Sequence, residues 1–329
     1  MTVTNPDLKS SVTPRKPSWW KRYRLPYLYI LPAFIILAVV TFYPIGYELY
    51  LSFTNFTVKS FKSGSDWVGL ANYERILKGD IPIPNFSFWR VLWFNITWTV
   101  VNIFFHVVIG VGVAMILNRK RIIGRRIFRA LYVIPWAMPA LVVSLVWNKM
   151  FNSQFGAINL TLEALGLPHD IRWLESTQAP IPFFPFLPLA FYAVAIANIW
   201  LGWPFMMVVA TGALQSIPAD LYEAARVDGA TRTQQFRDIT VPLLRPAMVP
   251  AIMYGTILTF NQFNVIYFIT AGGPLGKTEI LVTQAFKLVN PAGLYGVAAA
   301  FSVLVFFVLL ILTLGQNKVA KGMEGWSDA

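Results

Sequence analysis

The sequence predicts an all-α polytopic membrane protein, with six transmembrane helices and a cytoplasmic helix-turn-helix loop. Three observations carry this prediction. Of 329 residues, 56% are hydrophobic and 13% charged, against about 25% charged in a typical soluble domain. Apolar runs of the roughly 20 residues needed to cross a hydrocarbon core recur between short polar segments. Those runs do not alternate in segments of about ten residues, as the strands of a membrane barrel do. The chain has no cysteine, which excludes disulfide frameworks, thiolate metal sites and thiol catalysis. The two histidines, His106 and His169, leave little for a metal. A net charge of +12 is explained by basic residues flanking membrane spans and facing anionic lipid, so no nucleic acid is expected as a partner.

Residues 1–24 are polar and basic, carry Pro14 and Pro17, and lack a small-residue cleavage site after a short apolar core. They read as a cytoplasmic tail and not as a cleaved signal. Apolar segments follow at residues 25–53, 88–117, 127–147, 183–214, 247–270 and 293–314. With the N-terminus inside, the inner connections are 1–24, 118–129, 215–245 and the tail after 315. They hold 18 of the 27 Lys and Arg residues, including Arg119, Lys120, Arg121, Arg125, Arg126 and Arg129 between the second and third spans. Short-loop basic bias sets orientation, so both termini are expected in the cytoplasm. The outer segments, 55–87, 148–182 and 271–292, are too short for a substantial independent domain. The expected organisation is a tail at 1–24, a six-helix domain at 25–315 with its cytoplasmic loop at 216–242, and a cytoplasmic tail at 316–329.

That loop is the most informative stretch. Pro218 fits a first helical position, and Gly229 stands where the chain turns past a helix end. Thr231 and Gln234 have the spacing of a capping box for a second helix, which Pro242 is expected to stop. Leu221, Tyr222, Ala225 and Phe236 give the loop apolar surface that the membrane cannot cover. Another protein must cover it.

Glu223-Ala224-Ala225, then Gly229, then Ile239 and Pro242 resemble the EAA loop of importer permeases in the ATP-binding-cassette superfamily. The resemblance extends over nearly all of the chain from Pro26. Phrases such as Phe155 to Asn159, Asn198 to Pro204 and Thr270 to Pro274 are similar to those of the carbohydrate, maltose-type branch. It implies that Glu223, Ala224, Ala225, Asp228 and Gly229 couple the chain to an ATPase. Glu223 would anchor the first helix, Ala224 and Ala225 allow close approach, and Gly229 makes the turn. It also implies a homologous second permease, two ATP-binding-cassette ATPase subunits, an extracytoplasmic sugar-binding protein, a sugar substrate and membrane lipid as partners. No cofactor is implied on this chain; ATP and magnesium would sit on the ATPases. The resemblance also implies that longer relatives carry two further N-terminal spans and a large periplasmic insert; the six-span form, common in the same branch, is the one expected here.

Polar groups inside spans are costly and are functional candidates by default. Asn198, Leu201, Gly202 and Phe205 share one helical face, as do Gly255, Leu258, Thr259 and Gln262 on the next span. With Trp136 they offer donors, acceptors and aromatic faces, the mixture a sugar needs, although Asn, Gln and Gly also serve helix contacts in membranes. By resemblance, Trp136, Asn198, Leu201, Gly202, Phe205, Leu258, Thr259 and Gln262 match the sugar contacts of maltose-type permeases. Thr259 and Gln262 replace a pair of asparagines usual in maltose-specific members, and Trp136 replaces a tyrosine. These departures count against maltose in particular and not against the class: the expected cargo is a disaccharide or oligosaccharide, among maltose or maltodextrin, trehalose or another glycoside, with glycerol phosphate esters or amino acids as the alternative.

Residues 271–278 fit a loose phosphate-loop pattern, but a membrane span precedes them where a strand is needed. No ATPase site is expected on this chain. His106 has no acidic partner on its own helix and reads as a packed, hydrogen-bonded residue. A secondary transporter would need coupling-ion sites, and an intramembrane enzyme a nucleophile with a base in reach; neither pattern is present.

Overall fold

The computed structural model describes residues 19–119, 122–182 and 184–324. The tail before Trp19, Lys120 and Arg121 of the basic block, Phe183, and the last five residues lie outside it. Helices α1 (Trp19–Leu37) and α2 (Tyr43–Leu51) are joined by a π turn at Ala38–Phe42. Then come α3 (Ser60–Ser63), α4 (Ala71–Lys78), α5 (Phe88–Leu117), α6 (Arg125–Ala137), α7 (Ala140–Met150) and α8 (Ala157–Ala164). After α9 (Leu189–Ser216) follow α10 (Ala219–Val227), α11 (Arg232–Gln235), a π turn at Phe236–Thr240 and α12 (Val241–Phe260). The chain closes with α13 (Phe263–Thr270), α14 (Leu281–Val289) and α15 (Tyr295–Glu324).

Among the described residues, five helical segments are long and apolar enough to cross a membrane, and the bent pair α6–α7 supplies a sixth when taken as one span. The chain to Tyr50 forms one compact unit and the chain from Leu51 a second. In the second unit, α5 and α9 are the central pair. Gly110 on α5 makes their close approach possible, because a Cβ there would lie 2.6 Å from the Cβ of Met206 and 2.8 Å from the backbone of Trp203. Small residues at such crossings replace the hydrophobic driving force that lipid removes. The apolar core is divided. One cluster joins α5, α7, α9 and α13 around Trp98, Phe191 and Ile266. A second joins α4, the start of α5, α14 and α15. A third joins the ends of α5 and α9 to the start of α12 through Leu117, Leu214 and Leu244.

Four details differ from the sequence expectation. The third span is not straight but bends by 90° between α6 and α7. Met138 and Pro139 are both non-helical there; Met138 is extended because a residue before proline is pushed out of the helical region. The fifth span breaks at Asn261 and Gln262, and α5 satisfies the carbonyls this frees. Trp98 Nε1 donates to the Thr259 carbonyl at 3.0 Å, and Asn95 Nδ2 to that of Phe260 at 3.1 Å. Pro242 does not stop the second loop helix. The π turn shifts the pairing so that Val241 N–H reaches the carbonyl of Phe236, which absorbs the donor proline lacks. Helix α11 thus runs on into α12. Finally, α15 continues past residue 315 to Glu324, so the described part of the expected C-terminal tail is helical.

At the end of the bundle opposite that loop, residues 271–294 fold back on the bundle. Glu279 is 3% exposed, pairs with Lys287 and accepts from Thr283 Oγ1 at 2.6 Å. The side chains of the phosphate-loop-like stretch are spent on structure: Lys277 Nζ donates to the Thr177 carbonyl at 3.1 Å, and the Thr278 hydroxyl lies 2.8 Å from that of Thr270.

Candidate functional site

A cavity of about 220 Å³ lies among α5, α6, α9 and α12. All nine residues the sequence grouped along a passage line it: Trp136, Asn198, Leu201, Gly202, Phe205, Gly255, Leu258, Thr259 and Gln262. Each arrives for a local reason. Asn198, Leu201, Gly202 and Phe205 share a face of α9 through helical spacing. The break after α12 leaves Gln262 at the helix end, and Trp98 fixes that end through the Thr259 carbonyl at 3.0 Å. Trp136 stands on the last turn of α6 just before the bend. Its ring lies 5.8 Å from that of Phe205, and the two form the aromatic wall of the cavity; Tyr254, outside the lining, backs Phe205 at 6.0 Å.

The polar wall is a ladder between α5 and α9. Asn198 Nδ2 donates to Asn102 Oδ1 at 2.8 Å, and His106 Nε2 is 3.0 Å from the Asn198 carbonyl. The His106 ring lies against Gly202, where a Cβ would come within 2.1 Å of its Cε1. The glycine makes room for the imidazole. Among the described residues no hydrogen bond reaches the Thr259 hydroxyl or the Gln262 side-chain amide, and neither is sealed from solvent.

The cavity also takes in His106, Met138, Ala140 and Met206, which sequence reasoning did not assign to it. His106 is packed and hydrogen-bonded as expected, but its ring also faces the cavity. A signal existed: Asn95, Thr99, Asn102 and His106 follow helical spacing and are all buried. That polar stripe on an otherwise apolar span marks the face turned inward, where Asn102 and His106 meet α9 and Asn95 meets the ends of α12 and α14.

The second candidate region is the loop between α9 and α12. Pro218 is the N-cap of α10 and not its first residue. Glu223 and Ala224 are exposed and Ala225 half-buried, with Glu223 Oε1 3.6 Å from Arg226. Asp228 forms the C-cap, and Gly229 turns the chain at φ +82°, the left-handed region that a side chain disfavours. Thr231 and Gln234 form the full capping box. The Tyr222 hydroxyl lies 2.9 Å from that of Thr240 and ties α10 to the π turn. Leu221, Val227 and Phe236 remain exposed at 44%, 88% and 39%.

Residues 106–324 match the family of binding-protein-dependent transport system inner membrane components. The chain belongs to this family. The permease is 34% identical over 302 residues to the trehalose/maltose transport system permease protein MalF of Thermococcus litoralis, covering 92% of this chain and 95% of that protein. It is also 34% identical over 307 residues to the galactooligosaccharides transport system permease protein GanP of Bacillus subtilis, covering 91% of this chain and 71% of the relative. A solved bacterial ABC transporter involved in import of the acidic polysaccharide alginate contains a chain of the same fold, with TM-score 0.72 and 22% identity over 92% of the permease and 96% of that chain. The permease is thus an inner membrane component of a transport system and carries the ABC permease fold.

Proposed function

We propose that this permease forms half of the passage of an ATP-driven importer for a disaccharide or oligosaccharide. The observation that carries the reading is the convergence of nine sequence-selected residues on one cavity with an aromatic wall and unpaired polar groups. Aromatic faces pack on a sugar's C–H surface, while Asn198, Thr259 and Gln262 meet its hydroxyls. Relatives named for trehalose, maltose and galactooligosaccharides support the same class of cargo. The cavity is below the about 300–1,000 Å³ usual for small-molecule sites, as expected when a homologous second permease supplies the facing half.

Two ATPase subunits and an extracytoplasmic sugar-binding protein complete the assembly. Glu223, Ala224, Ala225, Asp228 and Gly229 present the loop to an ATPase, which covers Leu221, Val227 and Phe236. ATP and magnesium act there and not on this chain. Because α11 continues into α12, a push on the loop travels along one helical rod toward Thr259 and Gln262. Closure of the ATPases thereby turns the cavity outward to receive sugar from the binding protein, and hydrolysis returns it inward. The permease contributes differential stability of two conformations. Arg129 of the basic block donates to the Leu117 carbonyl at 3.4 Å, at the loop's end of the bundle where α5, α9 and α12 meet, which supports a cytoplasmic loop and cytoplasmic termini.

The test is ATP hydrolysis by the reconstituted complex, with binding protein empty or offered maltose, trehalose and short oligosaccharides. Stimulation by particular sugars is expected. Stimulation by an amino acid or a glycerol phosphodiester alone keeps the importer and overturns the sugar.

A further inference from the structure

We infer that His106 determines specificity in the cavity: its Nδ1 accepts a hydrogen bond from one hydroxyl of the passing glycoside. The inference rests on the sugar-importer reading. Nε2 lies 3.0 Å from the Asn198 carbonyl, and a carbonyl oxygen only accepts, so Nε2 carries the proton. The ring is 4% exposed, and the polar groups nearest it on α5 and α9 are the amides Asn102 and Asn198, not carboxylates. An unpaired charge there is costly, so the imidazole is neutral and Nδ1 is a bare acceptor.

That acceptor has no protein partner among the described residues, and it is not among the polar atoms sealed in the core. The ring lines the cavity; the Asn198 carbonyl holds it, and Gly202 leaves the room it occupies, since any Cβ there would collide with it at 2.1 Å. Asn198 repeats the pattern. Its Nδ2 donates one N–H to Asn102 Oδ1, and its Oδ1 has no donor among the described residues, which makes it a second acceptor in the cavity lining. Two fixed acceptors on one wall demand donors. A sugar hydroxyl supplies one, and a deoxy position does not. Sites built to bind a hydroxyl reject the analogue that lacks it, because the buried partner is left unpaired.

The experiment is uptake into proteoliposomes holding the complete transporter, at saturating sugar-loaded binding protein so that capture is not limiting. Maltose and trehalose are offered first, then the monodeoxy derivatives of whichever is imported. One derivative is expected to enter about ten-fold more slowly in the wild type, the worth of one hydrogen bond. His106→Leu should slow the parent sugar by a similar factor and slow that derivative no further. His106→Asn also loses the contact to the Asn198 carbonyl but places an amide oxygen near the Nδ1 position. It should restore the discrimination that leucine abolishes.

If leucine and asparagine variants behave alike, or every derivative is slowed by one common factor, His106 is only a packing residue and the inference is overturned. Should the variants fail to assemble, the wild type decides alone: equal uptake of all monodeoxy derivatives also overturns it. Import of neither sugar, with a non-sugar transported instead, would overturn the importer's cargo assignment first.

Discussion

Two connections of similar length flank the span made by α12 and α13, and the permease treats them in opposite ways. On one side no residue of 217–239 is buried. On the other, Thr278, Ile280, Leu281, Thr283 and Leu288 are fully buried, with Glu279 at 3%. Residues 271–294 pair Glu279 with Lys287 and Thr283, and the Leu281 N–H with Asn95, within the chain. The coupling loop satisfies its backbone with caps and leaves its apolar side chains uncovered. The connection at 271–294 is part of the permease's own stability. That at 217–239 is exposed surface, as the proposed docking of an ATPase requires.

The largest effect that sharpens this contrast is expected at Glu279. Glu279→Ala leaves Lys287 without its buried partner and should cost about 3 kcal/mol, the low end for breaking such a pair. Lys287 keeps 29% side-chain exposure, so water recovers part of the loss. Thermal unfolding of the purified complex measures it, and an unchanged midpoint would show that the far connection is not tied down. Next is Asn95→Ala. One side chain holds the Phe260 carbonyl at 3.1 Å and the Leu281 N–H at 2.8 Å, so its removal orphans two buried groups. About 2 kcal/mol is expected, together with slower sugar uptake, because the break that positions Gln262 is loosened.

Gly229 should behave in the opposite manner. The space around it is open, so Gly229→Ala costs only the left-handed strain of about 1–2 kcal/mol, confined to the turn. Gly229→Trp should abolish sugar-stimulated ATP hydrolysis while the unfolding midpoint of the permease stays near wild type. A collapse of stability in that variant would contradict the claim that the loop is held by a partner.

This contrast also explains what the sequence could reveal. The coupling loop was legible because its signals are local: Pro218, Gly229 and the Thr231–Gln234 pair act within a few residues. Eight of the nine cavity residues were legible because helical spacing brings them to shared faces; Trp136 was legible only as an aromatic and by resemblance. What could not be read were features fixed by distant partners. The break at Asn261 has no proline to announce it, and it exists because Asn95 and Trp98, more than 150 positions away, supply the missing donors. Pro242 is the reverse case, a local stop signal that the π turn at Phe236–Thr240 overrides. His106 was read correctly as a packed residue, yet its place on the cavity wall depends on Gly202 across the helix pair.

The smallest expected effect lies at Thr231, and its location matters more than its size. Thr231 accepts from Gln234 N–H at 3.3 Å, while Gln234 Oε1 accepts from Thr231 N–H at 2.8 Å. Thr231→Ala removes one side of this box, a loss of about 1 kcal/mol. If the coupling loop is a separately stabilised surface element, the loss stays local. Hydrogen exchange should quicken at residues 232–235 without a change in α5 or α9, and sugar-stimulated hydrolysis should fall only modestly. If exchange instead rises across the bundle, the rod from α11 through α12 transmits instability as well as motion. The two connections would then differ in exposure but not in their hold on the fold.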